Sequence, residues 1–438
     1  MEKYTYKDSR VEWLGKIPKH WKSTKLKRVI AESLKYGANE SAELEDRELP
    51  RYIRITDFGD DGKLKDETFK SLPFNIANQY LLEEGDLLFA RSGATVGKTF
   101  QFKNYNGIAC FAGYLIKAKP CKWLLESDFL YYFTKSIGYD EWKNLIFTQA
   151  TIQNIGADKY QYLPITIPPI TEQKAIANYL DLACERIDII IAIKEEQLKK
   201  IEDYLSRKID EIIVNGLSEF EKKYSRKDFI GNIPKHYKIA KLKHLCSQIV
   251  DGTHFTPNYI DSPEKNDIPF LRITDLHDES INLNEVKYID IQEHKELTKR
   301  CKPEKGDVLL SKNGTVGITK IVDWEYEFSI FVSICLIKPL DLLKSEYLHY
   351  FFKSDIMKYQ IHQGSKQITV NNLHLEKIRE FYIVLPPKNE QVQLVDKIKL
   401  IEDKVKLAKI NVVNQIDTLK AYRKSLIHEC VTGKKQVV

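Results

Sequence analysis

What most restricts the fold of this chain is that its motifs occur twice, in the same order. Residues 12 to 27, EWLGKIPKHWKSTKLK, return as residues 228 to 243, DFIGNIPKHYKIAKLK, and residues 52 to 58, YIRITDF, return as residues 270 to 276, FLRITDL. Residues 84 to 99, EGDLLFARSGATVGKT, return with one deletion as residues 305 to 319, KGDVLLSKNGTVGIT. Near the end of each half, residues 151 to 173, TIQNIGADKYQYLPITIPPITEQ, answer to residues 369 to 391, TVNNLHLEKIREFYIVLPPKNEQ. All four matches lie about half a chain apart, which describes a tandem duplication of two units and not a many-repeat solenoid. Between these anchors the halves differ. Residues 33 to 50 bear little relation to residues 247 to 269, although both are punctuated by Gly, Asn and Pro and read as loops. The shared parts are apolar and turn-forming and the divergent parts are polar, so the chain predicts one mixed α/β (α+β) scaffold carrying two different surfaces.

After each Pro-Pro comes a long segment without proline. In the first, Ile176, Leu180, Ala183, Ile187, Ile190, Leu198, Ile201, Leu205, Ile209 and Ile212 recur mostly at three- and four-residue steps; in the second, Val395, Ile398, Ile401, Val405, Ala408, Val412, Ile416, Leu419 and Leu426 do the same. That spacing marks the apolar stripe of a helix, and its length argues for a coiled coil. Each helix, of about 40 residues, would be about 60 Å long. The spacing predicts two similar globular units related by a pseudo-twofold, separated by two long helices packed as an antiparallel coiled coil. The alternative is that each helix folds back on its own unit as cover.

The string FARSGATVGKT invites a nucleotide-binding reading. A phosphate-cradling loop needs four residues between its first glycine and Gly-Lys-Ser/Thr, so that the backbone N–H groups wrap the phosphates. Gly93 and Gly97 enclose three, and the repeat puts Ile318 where Lys98 stands. A lysine that held phosphate could not become isoleucine without losing its charge.

Other chemistries are equally hard to find. The ten histidines lack metal-ligand spacing, and His20 and His236, in the repeated Ile-Pro-Lys-His, suit a structural role at the start of each unit. The Pro-Pro tetrads, Ile167-Pro168-Pro169-Ile170 and Leu385-Pro386-Pro387-Lys388, lack the polar first and aromatic last residues with which amino-methyltransferases grip a base. Seven cysteines without a Cys-x-x-Cys pair fit reduced thiols in the cytoplasm. No apolar run of about 18 residues predicts a membrane span, and a net charge of +6 permits a nucleic-acid partner without demanding one.

Taken together, DSRVEWLGKIPKHWK at 8 to 22, GDLLFARSGATVGKT at 85 to 99, the IPPITEQ and LPPKNEQ closes, and AYRKSLIHECVTGK at 421 to 434 resemble the specificity subunits of type I restriction-modification systems. The resemblance spans both halves in order, with one departure: Ile318 in place of Lys98 puts a shared role for that lysine in doubt. It implies target-recognition domains at 1–170 and 218–388 and conserved helical regions at 171–217 and 389–438. It further implies that each domain reads one half of a bipartite site in double-stranded DNA. Catalysis would be left to two methyltransferase subunits and to restriction/translocase subunits, with S-adenosylmethionine, ATP and Mg expected in those partners and no cofactor in this chain.

Base edges are read by bidentate polar side chains, and the densest runs of these are Thr148, Gln149, Thr151, Gln153 and Asn154, matched by Ser365, Lys366, Gln367, Thr369, Asn371 and Asn372. They read either as base contacts or as capped turns, with Thr151 and Thr369 as N-caps. Arg91 and Ser92, and Lys312 and Asn313, follow apolar strands, and touch phosphate or form a tight hairpin; Lys98 is a candidate in the first unit alone. The divergent loops offer Tyr36 and Asn39 in one half and Thr253, His254 and Asn258 in the other. Arg54 and Arg272, inside a shared Arg-Ile-Thr-Asp, suit pairing with a buried acid. Late in the long helices, Tyr204 and Glu211 match Tyr422 and Glu429 at a spacing of seven, as partner contacts or as part of the helix seam.

Overall fold

The computed structural model describes residues 4–59, 62–93, 95–147, 154–261, 263–264, 266–276, 280–365 and 372–437, with side chains omitted at 364 and 365. Two compact units emerge, Met1–Glu195 with Asn414–Val438, and Glu196–Val413. Two long helices, Ile170–Asn215 and Lys388–Val431, each contribute half their length to each unit. The unit boundaries therefore fall inside the helices and not at their ends, because each half-helix buries its apolar side within one unit.

In the first unit, Lys22–Lys25 pairs antiparallel with Pro164–Ile167, so the opening and closing repeat motifs lie side by side. A four-stranded antiparallel sheet runs in the order Lys35–Tyr36, Leu115–Ala118, Leu87–Ala90, Thr99–Gln101, and Arg51–Ile53 pairs in parallel with Ala109–Phe111. Both central strands of the larger sheet are buried along their whole length, which is why their sequences read as apolar runs without alternation. Ile53, Leu88, Phe100, Phe111 and Leu115 share one core, each buried side chain contributing about 1.5–3 kcal/mol.

The second unit repeats this plan. Lys238–Lys241 pairs with Tyr382–Leu385, and the larger sheet runs Cys246–Asp251, Ile334–Pro339, Val308–Ser311, Thr319–Ile321. Ile268–Leu271 pairs in parallel with Ser329–Ile330 and gains an extra antiparallel neighbour, Lys287–Ile289.

The shared motifs now acquire physical roles. At the start of each long helix the Glu-Gln pair is gripped from both sides. The Glu172 carboxylate accepts from Trp21 Nε1 (3.1 Å), from the Tyr4 hydroxyl and from the ring of His20 (2.9 Å), while Glu390 is met by His236 (2.9 Å) and Tyr237. Gln173 accepts from the Glu126 amide and donates to the Leu124 and Pro168 carbonyls; Gln391 does the same with Lys344, Leu342 and Pro386. His20 and His236 are thus structural. Arg54 pairs with Asp57 (2.7 Å), which is fully buried, and Arg272 lies 3.6 Å from Asp275, as the Arg-Ile-Thr-Asp repeat led us to expect.

The Gly-Lys-Thr string forms a hairpin. Ala90 accepts from the Gly97 amide (2.8 Å) and donates to the Lys98 carbonyl (2.9 Å) across it, and the next element is the strand Thr99–Gln101. A phosphate loop opens a helix instead, so the nucleotide reading fails on context.

The long helices run antiparallel within each unit: Asp188 and Glu195 meet Arg423 (3.0 Å) and Lys420 (3.9 Å) in the first, and Glu202 meets Lys409 (2.7 Å) in the second. They also cover their own units, since Ile209, Ile212, Leu394, Val395 and Ile398 join the core of the second sheet. Pairing and cover therefore coexist. The predicted stripe slips by one position, because Ile191 is buried where Ile190 was expected and Ile190 is exposed.

Each long helix also caps a shorter one. In the second unit the Asp210 carboxylate accepts from the Asp355 and Ile356 amides (3.0 and 3.2 Å) at the start of Asp355–Ser365. In the first unit His428 Nδ1 accepts from Gly138 N (3.3 Å) near the start of Ile137–Phe147. Burial, aided by Lys434, lowers His428 to about 4, and burial with Lys353 lowers His349 to about 4; burial raises Asp210 to about 6. The unfolded histidines bind protons near pH 6.5 and the folded ones only near 4, so their stabilisation holds above about 6.5 and is lost as pH falls. Asp210 acts oppositely, its penalty being relieved as pH drops below about 6. Moving from pH 7 to 5 is expected to cost about 1–2 kcal/mol per histidine, offset by about 1 kcal/mol at Asp210. Urea unfolding at both pH values checks this; His428→Gln should flatten the dependence, and an unchanged slope would refute the assignment.

Candidate nucleic-acid interface

The segment that follows the central strand of each unit runs along the segment that precedes its closing strand. In the first unit Arg91 N donates to Tyr114 O (3.0 Å), Ile155 N donates to Arg91 O (2.9 Å), and Ser92 bridges Asn154. In the second, Lys312 N donates to Ser333 O (2.9 Å), Leu373 N donates to Lys312 O (2.7 Å), and Asn313 bridges Asn372. Two pairs of candidates far apart in sequence, Ser92 with Asn154 and Asn313 with Asn372, are thereby brought together.

The loops that look unrelated enter this frame by the same route. A Cβ on Gly37 would lie 2.2 Å from Phe111 O, and one on Gly252 would lie 2.0 Å from Ile330 O, so only glycine passes. Tyr36 sits opposite Ile116 and Asp251 opposite Cys335, which makes Tyr36 and Asp251 positional equivalents. The expectation of unrelated loops is corrected to one backbone path with different side chains.

Those side chains set the chemistry. In the first unit the Arg91 guanidinium lies over the Tyr36 ring, 4.9 Å from its centre, and the Tyr36 hydroxyl accepts from the Ala157 amide (2.9 Å). The negative face of the ring attracts the cation without using its N–H donors, and Arg91 Nε is buried with no hydrogen-bond partner among the described residues. Tyr114 stands exposed beside it. In the second unit Asp251, only 3% exposed, gathers Lys312 Nζ (3.0 Å), Arg300 (2.5 Å) and His254 (3.1 Å). Burial opposes the charge on Asp251, but the bonds from Lys312 and Arg300 outweigh it and hold the carboxyl below its usual range.

Two expected contacts need correction. Lys312 is buried and committed to Asp251, and Thr253 is 8% exposed with its hydroxyl bonded to the Phe255 backbone, so neither presents a polar group outward. Asn39, Asn258, His254 and Lys98 are exposed. Lys98 lines a separate cavity with Lys65, Lys135 and Arg423, away from the Arg91 fork in the contacts it makes. Thr148, Gln149, Thr151, Gln153, Lys366, Gln367, Thr369 and Asn371 lie outside the described residues, as does the side chain of Ser365. Tyr204 and Tyr422 are exposed and so are not seam residues; Glu211 pairs with Lys208 (2.5 Å) and Glu429 accepts from Ser425 (3.1 Å). Tyr114, Arg300 and His374, which borders the Asp251 cavity, escaped the sequence reading. Arg300 stands in a charged helix end with nothing in the sequence to link it to Asp251.

Among the described residues no group of His, Cys, Asp and Glu could hold a metal ion, and no helix is long and apolar enough to cross a membrane. The geometry offers polar donors on a twice-built frame.

Known proteins with this organisation point the same way. The family model described as type I restriction modification DNA specificity domain matches residues 18–203 and again 234–418. The chain is 26% identical over 441 residues to the EcoKI specificity subunit of Escherichia coli K12, covering 94% of this chain and 90% of that one. It is 25% identical over 345 residues to the EcoBI specificity subunit of Escherichia coli, covering 73% and 71%. In fold it matches a chain solved in a study of the assembly and conformational transition of a type I R-M system, with a TM-score of 0.69 at 17% identity over 96% of this chain and 99% of that one. The HsdS subunit of Thermoanaerobacter tengcongensis gives a TM-score of 0.50 at 18% identity over 96% and 98%. With both units matched along most of their length, the chain belongs to the family of type I restriction-modification DNA specificity proteins.

Proposed function

We propose that the globular parts, residues 1–170 and 218–388, each read one half of an asymmetric bipartite site in double-stranded DNA. The helical regions, 171–217 and 389–438, set the gap between the halves. The observation that carries this reading is the shared frame with unlike polar sets: Arg91 stacked on Tyr36 in one unit, and Asp251 with Arg300 and His254 in the other. A duplicated backbone with divergent donors is what two unlike half-sites require, since register comes from the scaffold and sequence from base-edge contacts.

The chain itself is non-catalytic in this reading and works in the cytoplasm. Two methyltransferase subunits supply adenine methylation with S-adenosylmethionine, and restriction/translocase subunits supply cleavage with ATP and Mg. Their docking surface is the long helices, where Leu182, Ile189 and Ile193 in the first unit and Leu400, Leu407 and Ile410 in the second lie exposed at helical spacing. Apolar side chains left in water at that spacing favour a covering helix. Tyr204 and Tyr422 extend the same kind of surface.

The test is binding by the chain assembled with its methyltransferase subunits. Affinity for duplex DNA should fall steeply with salt, by about 0.9 in log–log slope per phosphate neutralised, and sequencing of modified DNA should show a two-part motif with methylated adenines. A flat salt response with no motif would leave only an adaptor role.

A further inference from the structure

We propose that Arg300 is a specificity-determining residue of the second unit, reading a guanine in the major groove, and that Asp251 positions it. The inference rests on the reading that this unit contacts duplex DNA. The Arg300 guanidinium is held at two points, by Asp251 Oδ1 (2.5 Å) and by the Gly252 carbonyl (3.3 Å). Its side chain is nevertheless 54% exposed while that of Asp251 is 4% exposed, and the two bonds use one N–H of each terminal nitrogen, leaving three of the five guanidinium N–H groups for an outside acceptor.

Charge balance supports a role beyond the fold. Asp251 already has a buried counterion in Lys312, whose side chain is 8% exposed. Arg300 therefore brings a surplus positive charge to the surface, with its entropy of placement already reduced. A planar fork in fixed orientation matches the two acceptors of guanine, O6 and N7, in a way that a lysine ammonium does not. The cavity beside it, of about 430 Å³, is bounded by Asp251, Arg300, Asn313 and Asn372. Asn313 and Asn372 both border this cavity, and their buried Oδ1 atoms have no hydrogen-bond partner among the described residues.

The device is confined to one unit. Counting back from the repeated Gly-Asp, Gln79 stands where Arg300 stands, and Tyr36 replaces Asp251. A reader of one half-site should be private to its unit in this way.

The experiment selects bound duplexes from a randomised pool, using the full chain assembled with its methyltransferase subunits, and then measures affinity for the selected duplex and its single-pair variants. The wild-type complex should return a bipartite motif with a G·C pair in one half. Arg300→Ala should remove the preference at that pair, a loss of about 10- to 100-fold in discrimination, with the other half-site unchanged. Arg300→Lys should lose the same preference while keeping the salt dependence. The charge-neutral pair Asp251→Ala with Lys312→Met should also blur that one position, because the side-chain acceptor that holds the fork is gone; a purely structural role for Asp251 would leave the preference intact. The proposal is overturned if Arg300→Ala weakens all duplexes equally with a shallower salt dependence, which marks a phosphate contact, or if Arg300→Ala leaves the preference at that pair intact. A wild-type complex that selects no bipartite motif would instead remove the underlying reading of DNA recognition, and this inference with it.

Discussion

Asp251→Ala is expected to lower the stability of the chain by about 3–5 kcal/mol, the cost of leaving a buried charge unpaired. The charge in question is Lys312, 6% exposed, whose ammonium lies 3.0 Å from the carboxylate. Arg300 would lose the same partner, but its side chain is more than half exposed and water replaces the bond at little cost. The effect should therefore depend on Lys312. Adding Lys312→Met to Asp251→Ala removes the orphaned charge while keeping the aliphatic bulk, and should recover most of the loss. Lys312→Met alone should cost less than Asp251→Ala, because Asp251 keeps Arg300 and His254. Urea unfolding of the four chains completes the cycle. A loss under about 1 kcal/mol, or no recovery in the double variant, would show that the pair is not the electrostatic unit described.

The second large effect belongs to the helix start in the first unit. Glu172→Ala removes the acceptor of the Trp21 indole, which is fully buried, together with those of Tyr4 and His20. A buried donor left unpaired costs about 1–3 kcal/mol, and removing an acid from the first turn forfeits about 0.3–1 kcal/mol of dipole stabilisation. The sum is about 1–4 kcal/mol. Glu172→Gln keeps one oxygen for the indole and should cost roughly half as much. Trp21 fluorescence during denaturation reports the site directly. Equal losses for Ala and Gln would mean that charge, not the acceptor, matters there. The same ordering is expected at Glu390, where His236 and Tyr237 take the places of His20 and Trp21.

Much of this scaffold was legible in the chain because it is built from local rules stated twice. Pro-Pro followed by an acid marks a helix start, and the Thr-Val-Gly hairpin and the Arg-Ile-Thr-Asp turn close over a few residues. The phase of the long helices was legible only to within one position. A helix turns every 3.6 residues and a heptad stripe every 3.5, so Ile190 and Ile191 were equally plausible until packing chose Ile191.

The candidate site was less readable. Residues 33–50 and 247–269 look unrelated because what they share is a missing Cβ at Gly37 and Gly252 and a strand register, neither of which restricts the neighbouring side chains. Lys312 resembled a surface contact, since nothing near it in sequence announces an acid; its partner lies 61 residues away. Arg300 went unnoticed for the same reason, at a separation of 49 from Asp251.

By itself, then, the sequence determined that one scaffold is built twice, where its long helices begin, and that the Gly-Lys-Thr string is one residue short of a phosphate loop. Only the tertiary structure decided which polar side chains meet, which cations are buried and which face water. Hydrophobic period and turn chemistry act over a few residues and leave their trace in the chain. Charge pairing across strands is a property of register, and register is settled only when the sheet forms.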